Sequence, residues 1–135
     1  MADWVLDASA VLALMRAEPG ADQVLAALPN AQLASVNAAE VVARLIREGV
    51  DADAARMMVV GLGCPLVAVD AELGLRAGAL AAHTAARGTS SEVSRALSLG
   101  GRCCLALAER EAATVLTADP TWARLGLPIR IATIR

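Results

Sequence analysis

Short apolar runs alternate with segments of helical period along most of the chain. Trp4, Val5 and Leu6 form an apolar run that Asp7 closes; Ala8, Val11, Leu12 and Met15 then recur at helical spacing until Pro19-Gly20. "ADQVLAALPN" reads as a second short helix ending before Pro29, and "AQLASV" as a strand. In "NAAEVVARLIREG", Asn37 stands at the cap position, Glu40 follows three residues later, and Gly49 closes the helix. "DADAARMMVVGLG" predicts a helix capped at Asp51 or Asp53, "CPLVAVD" a strand, and "AELGLRAGALAAHTAARG" a long helix to Gly88. The polar "TSSEVSRAL" reads as a loop, "GGRCCLALAERE" as a buried helix and "AATVLTAD" as a strand ending on Asp119. "PTWARL" gives a helical turn with Pro120 near its start, and "PIRIATI" a last strand. Strands apolar on both sides and separated by helices predict an α/β fold: a parallel central sheet of four to five short strands with helices on both faces, as one domain over residues 1–135.

Composition narrows the chemistry. All 12 basic residues are arginine, so a phosphate-loop lysine and a Schiff-base lysine are excluded. A formal charge of −2 is not the footprint of a bulk nucleic-acid binder, so any RNA contact relies on local arginines or on a metal. Cys64, Cys103 and Cys104 form neither a CxxC pair nor a zinc spacing and read as buried thiols. No apolar run reaches the roughly 18 residues of a membrane span, and Asp3 and Asp7 interrupt the place of a signal peptide. The expectation is a cytoplasmic protein with no membrane association. "GLG" at 61–63 precedes a strand and reads as a turn, and Gly74 and Gly78 predict close helix packing.

In an open α/β sheet ligands bind beyond the carboxyl ends of the strands. Asp7 follows the first strand, Asp119 follows "TVLT", and Glu40 lies at the start of the helix after "AQLASV". Each alone is also what a helix cap looks like. Three on one sheet edge suggest a divalent-metal site, because gathered carboxylates repel one another unless a cation neutralises them. "GGRCCLALAERE" begins badly: Gly100, Gly101 and Arg102 occupy positions where helix starts prefer a capping side chain and acidic residues.

"VLDASAVLAL", "AAEVVARL", "LSLGGRCCLALA" and "VLTADPTW", in this order and spacing, resemble the PIN-domain ribonucleases, and among them the VapC toxins of bacterial toxin–antitoxin pairs. The resemblance runs from Val5 to Ile131. It implies a PIN-like fold and endonucleolytic cleavage of structured RNA with Mg²⁺ or Mn²⁺. By the same likeness Asp7 and Asp119 would hold the metal and Glu40 would orient or deprotonate its water. It also implies a homodimer and a cognate VapB-like antitoxin. The family places an Asp in "LSLGDR"; here that position is Gly101, a vacated catalytic position. Three explanations stand open: an Asp→Gly change engineered or selected because an active toxin harms its expression host, natural loss of the acid, or replacement by another acid such as Glu92. An inactive PIN-fold module that binds antitoxin or RNA without cleavage is the alternative function. A small-molecule phosphatase is disfavoured, since "DASA" lacks the second Asp of a DxD motif and the chain lacks lysine.

Ser9 and Thr117 flank the site acids in sequence and are expected either in a shell of hydroxyls around the metal waters or as ordinary cap and strand residues. Arg87, Arg95 and Arg102 surround the polar loop and are candidates for RNA phosphate contacts. Trp122 reads as core before base-stacking platform, and His83 as a helix-surface residue with no chemistry assigned.

Overall fold

The computed structural model describes residues 2–82 and 97–134. Strands β1 (Trp4–Leu6), β2 (Ala31–Ala34), β3 (Leu66–Val67), β4 (Thr114–Thr117) and β5 (Ile131–Thr133) form one sheet in the order β3-β2-β1-β4-β5, and every pairing is parallel. The described helices are α1 (Ala8–Met15), α2 (Ala21–Ala27), α3 (Ser35–Arg47), α4 (Ala52–Val60), α5 (Ala71–Ala79) and α6 (Leu99–Glu111), with 3-10 turns at Leu28–Asn30 and Pro120–Arg124.

Side chains alternate faces along a strand, and here both faces are apolar. Val5 and its register partner Val115 bury into one core with Leu73 and Ala77 of α5 and Leu105 of α6. Leu6 and its partner Leu116 bury into the other, with Val11 of α1, Val24 of α2, Val41 and Leu45 of α3 and Val59 of α4. Leu33, Leu105 and Leu107 are fully excluded from solvent, each contributing about 1.5–3 kcal/mol through burial. The alternating pattern that predicted a doubly covered sheet is therefore carried by β1 and β4.

Several boundaries differ from the sequence reading. β2 ends at Ala34 and α3 starts at Ser35, so Asn37 is no cap: it lies inside the helix, fully buried, its amide donating to the Gly100 carbonyl at 3.0 Å. A tertiary hydrogen bond to α6 outweighs the local preference of Asn for a helix start. Glu40 consequently stands in the second turn. β3 is two residues long because only Leu33–Ala34 of β2 pair with it. α5, capped by Asp70 through the Leu73 N–H at 2.8 Å, is interrupted at Leu80; Ala81 and Ala82 are helical again, and the rest of the expected run to Gly88 lies outside the described residues. Its two glycines lower helix propensity, and buried Leu80 draws the chain into the core. Among the described residues close packing at those glycines is not found: a Cβ on Gly78 would meet none of them within 4 Å, and one on Gly74 only Val69 at 3.9 Å. Asp51 is the cap of α4, accepting from the N–H groups of Asp53 and Ala54. All three cysteines are free and buried.

α6 begins at Leu99, one residue earlier than its glycine run suggested. Ser98 is the cap, its Oγ accepting from the Gly101 N–H at 3.1 Å. The apparent bad start is thus a conventional serine cap two residues before Gly100, with the glycines in the first turn.

Candidate functional site

Strand order reverses between β1 and β4, and at such a switch point an open parallel sheet has a crevice beyond its carboxyl ends. A cavity of about 670 Å³ opens there. Asp7, Glu40 and Asp119 all line it, with Ser9, Ser98 and Trp122, and with Arg16, Arg44 and Arg47.

Asp7 forms the floor. Its N–H extends the β1–β4 ladder to the Leu116 carbonyl at 3.0 Å, so its side chain projects where the strands end. It is buried, and Oδ2 accepts from Ser9 Oγ at 2.6 Å and Thr117 Oγ1 at 3.0 Å. A hydroxyl has one proton to give, and both hydroxyls spend it on this oxygen. Their own lone pairs accept from the next two backbone N–H groups of β4's end: Ala118 to Ser9 Oγ at 2.9 Å, and Asp119 to Thr117 Oγ1 at 3.1 Å. The 3.2 Å approach of the two hydroxyl oxygens carries no proton of its own. Burial pushes the Asp7 carboxyl above its ordinary range, against the two hydroxyl hydrogen bonds that favour the charged form.

Asp119 follows β4 and caps the 3-10 turn, Oδ1 accepting from the Thr121 N–H at 2.9 Å and Thr121 Oγ1 at 2.7 Å. Glu40 stands at the cavity mouth on α3. Its Oε1 lies against the backbone of α6 at Gly100, where any Cβ would collide with it. Partial burial raises its pKa first, the negative charge of Asp7 second, and Arg44 opposes both.

A family model, PIN domain, matches residues 4–127. The chain belongs to the PIN domain family. The search of curated proteins gives no match. Among solved structures, this PIN domain is similar to a chain of VapBC2 from Rickettsia felis bound to a DNA fragment from their promoter, with TM-score 0.72, 12% identity and 98% of each chain covered. It is also similar to DNA-bound VapBC from Salmonella typhimurium, with TM-score 0.71, 16% identity and both chains covered fully. A third likeness is to VapBC-5 from Mycobacterium tuberculosis, described as a member of the VapBC family of toxin-antitoxin systems, with TM-score 0.59, 19% identity and 98% of each chain covered. At these identities the likeness is one of fold.

The remaining sequence candidates divide. Ser9 and Thr117 both bond Asp7. Gly101 is buried and carries the cap N–H, but it is not among the residues lining the cavity; the glycine against Glu40 is Gly100. Arg102 does not line the cavity either, and its Nε is buried without a hydrogen-bond partner among the described residues. Arg87, Glu92, Arg95 and His83 lie outside the described residues. Trp122 is 3% exposed and packs in the core, leaving little of its ring for a base.

Sequence reasoning passed over Arg44, Arg47, Asn37 and Gly100. The first two were legible: Glu40, Arg44 and Arg47 are spaced four and three apart, one helical face. Gly100 was legible as half of a glycine pair, a sign of close backbone approach. Asn37 was masked by its resemblance to a cap.

The acids of the cavity offer oxygen donors, and among the described residues no Cys or His joins them in the lining, which suits a hard cation such as Mg²⁺ or Mn²⁺. Among the described residues no group of three Asp, Glu, His or Cys forms a ready metal cage. The fit is to an ion held by one or two carboxylates and completed by water, the usual habit of Mg²⁺.

Proposed function

We propose that the chain is the toxin of a VapC-type toxin–antitoxin pair: a divalent-metal-dependent endoribonuclease of the cytoplasm, dimeric, restrained by a VapB-like antitoxin and impaired by Gly101. The observation that carries the reading is the meeting of Asp7, Glu40 and Asp119 in one cavity at the strand-order reversal. The VapBC complexes among the structural neighbours support the choice of partner.

Asp7 and Asp119 would hold the ion, and Glu40 would stand beside it. A bound Mg²⁺ or Mn²⁺ would supply Lewis acidity toward the phosphodiester and a more acidic water. The hydrogen bonds from Ser9 and Thr117 favour the charged, metal-accepting form of Asp7 and offset part of the effect of its burial. Thr121 fixes Asp119, a residue of the cavity lining, through Oδ1 alone, and neither bond uses Oδ2. Glu40, with its pKa raised, is suited to accept a proton from an attacking water and to give it up later.

A second reading, a binding module that does not cut, rests on the missing acid at Gly101 and the lack of a three-acid cluster among the described residues. The deciding experiment is a metal-dependent RNase assay on the chain and on Gly101→Asp. Restoring the acid is expected to raise activity at least about tenfold, the low end of what such supporting contacts contribute, and to make expression without antitoxin toxic. Asp7→Asn in the restored protein should abolish both. If the original chain already cuts RNA with metal and Gly101→Asp changes nothing, Gly101 is not a vacated catalytic position. If neither protein cuts, the binding-module reading holds.

A further inference from the structure

The proposed chemistry uses the acids of the cavity and leaves its arginines unexplained. Glu40, Ala43, Arg44 and Arg47 all line the cavity from α3, at the spacing of one helical face. Arg16, facing them from the end of α1, is already committed: it pairs with Glu48 and lies 3.6 Å from Glu18. Arg44 and Arg47 are exposed and have no ion pair or hydrogen bond among the described residues. Arg44 senses Glu40 only through the field, where its charge favours the ionised carboxylate.

We propose that Arg44 and Arg47 are the seat for the phosphates of the RNA strand that lies in this cavity, next to the phosphate at the acids. The inference rests on reading the cavity as an RNA-cleaving site and names the side from which the strand is held. Charge favours an anion there. The lining carries four carboxylates (Asp7, Glu18, Glu40 and Asp119) against three guanidiniums, so one divalent cation reverses its net sign from negative to positive. Geometry favours phosphate. The planar fork of each guanidinium matches phosphate oxygens. Along the helix axis the two arginines stand ~6 and ~10 Å beyond Glu40 at 1.5 Å per residue, a reach that covers phosphates within a few nucleotides of the one cleaved. The formal net charge of −2 makes such a local seat matter, because the chain as a whole has no excess of positive charge to hold the strand.

The test is binding of a short single-stranded RNA oligonucleotide to the full chain, with Ca²⁺ present, followed by fluorescence anisotropy across a salt series. Arg44→Ala and Arg47→Ala should each weaken binding and flatten the plot of log affinity against log salt, by about 0.7 for each phosphate of a single strand that is no longer neutralised. Arg56→Ala, on an exposed position of α4 outside the cavity, makes the same change in charge and should leave the slope alone. Equal losses in all three variants, unchanged slopes in Arg44→Ala and Arg47→Ala, or no binding of the wild-type chain would each overturn the seat. It is also overturned if the two variants keep RNA affinity and lose only an acidic protein partner, for then the seat belongs to that partner. The cleavage assay on Gly101→Asp separates this proposal from the one beneath it. Loss of slope without any cleavage keeps the seat and rejects the nuclease; cleavage with unchanged slopes does the reverse.

Discussion

The floor and the mouth of the cavity are built on opposite principles. At the floor, Asp7 is buried and held by two hydroxyls, one from the helix after β1 and one from β4, each in turn held by a backbone N–H. At the mouth, Glu40 has no hydrogen bond among the described residues; it is positioned by the space that Gly100 leaves beside it. The floor is determined by bonds and resists its own charge through desolvation. The mouth is determined by shape and stays free to turn. A site assembled this way has one carboxylate preorganised and one adjustable, a combination suited to holding an ion while a proton moves.

The strongest way to break the contrast is at the floor. Asp7→Asn should remove metal-dependent activity by more than the about 10–100-fold expected for a supporting contact, measured in the Gly101→Asp background. In metal-free buffer the same change should raise the melting temperature by a few degrees near neutral pH, because it removes a buried charge. The sign follows from the raised carboxyl pKa. The wild-type floor is at its most stable below the ordinary value of 3.8, where Asp7 is protonated folded or unfolded, and it loses stability as pH rises through the raised folded value. The advantage of Asn should therefore vanish below about pH 4 and grow above it; an advantage constant across pH would refute the buried-charge account.

Thr117→Val is the next largest. It keeps the shape of a fully buried residue and takes away both the hydrogen bond to Asp7 and the acceptor for the Asp119 N–H. The expected cost is about 1–3 kcal/mol in stability, from groups left unpaired, with an about 10–100-fold loss of metal affinity by calorimetry. Ser9→Ala should do the same in smaller measure, since its hydroxyl is less buried. Equal metal affinity in Thr117→Val would mean that the hydroxyl pair serves the loop and not the carboxylate.

The mouth gives the smallest effect on folding and the sharpest divergence. Gly100→Ala meets only the flexible end of Glu40, so the side chain swings away. Stability should hold or rise by up to about 1 kcal/mol, the glycine-to-alanine difference within a helix. Activity of the Gly101→Asp protein should fall with it. Parallel loss of both, by thermal melt and RNase assay, would show that Gly100 is there for packing alone.

What was readable in the sequence follows the same division. The strand ends carrying Asp7 and Asp119 were visible because apolar runs stop abruptly at an acid, and burial of both sheet faces leaves that signature in any parallel fold. Glu40 was visible as an acid near the start of the helix after β2, but its pairing with Asn37 as a capping box was misleading; Asn37 is committed to Gly100, over sixty residues away, and local pattern has no access to such a bond. The role of Gly100 was hidden for the same reason, since a close approach needs its partner to be known. Arg44 and Arg47 were written plainly in the period of α3, yet the arginines nearest the polar loop stood out first, because sequence distance stood in for distance in space.

The hydroxyl bridge also sets a timetable. Thr117 and Asp7 are 110 residues apart, and the bond between them needs β4 lodged beside β1 at the centre of the sheet. Pairings so distant form late, because closing a long loop costs entropy before any bond forms to offset it. A growing chain that has made β1, β2 and their helices has Asp7 but no floor for it. The cavity is therefore absent from every nascent intermediate that lacks β4, and a ribosome making this protein carries no finished site while translation of its first three strands is under way.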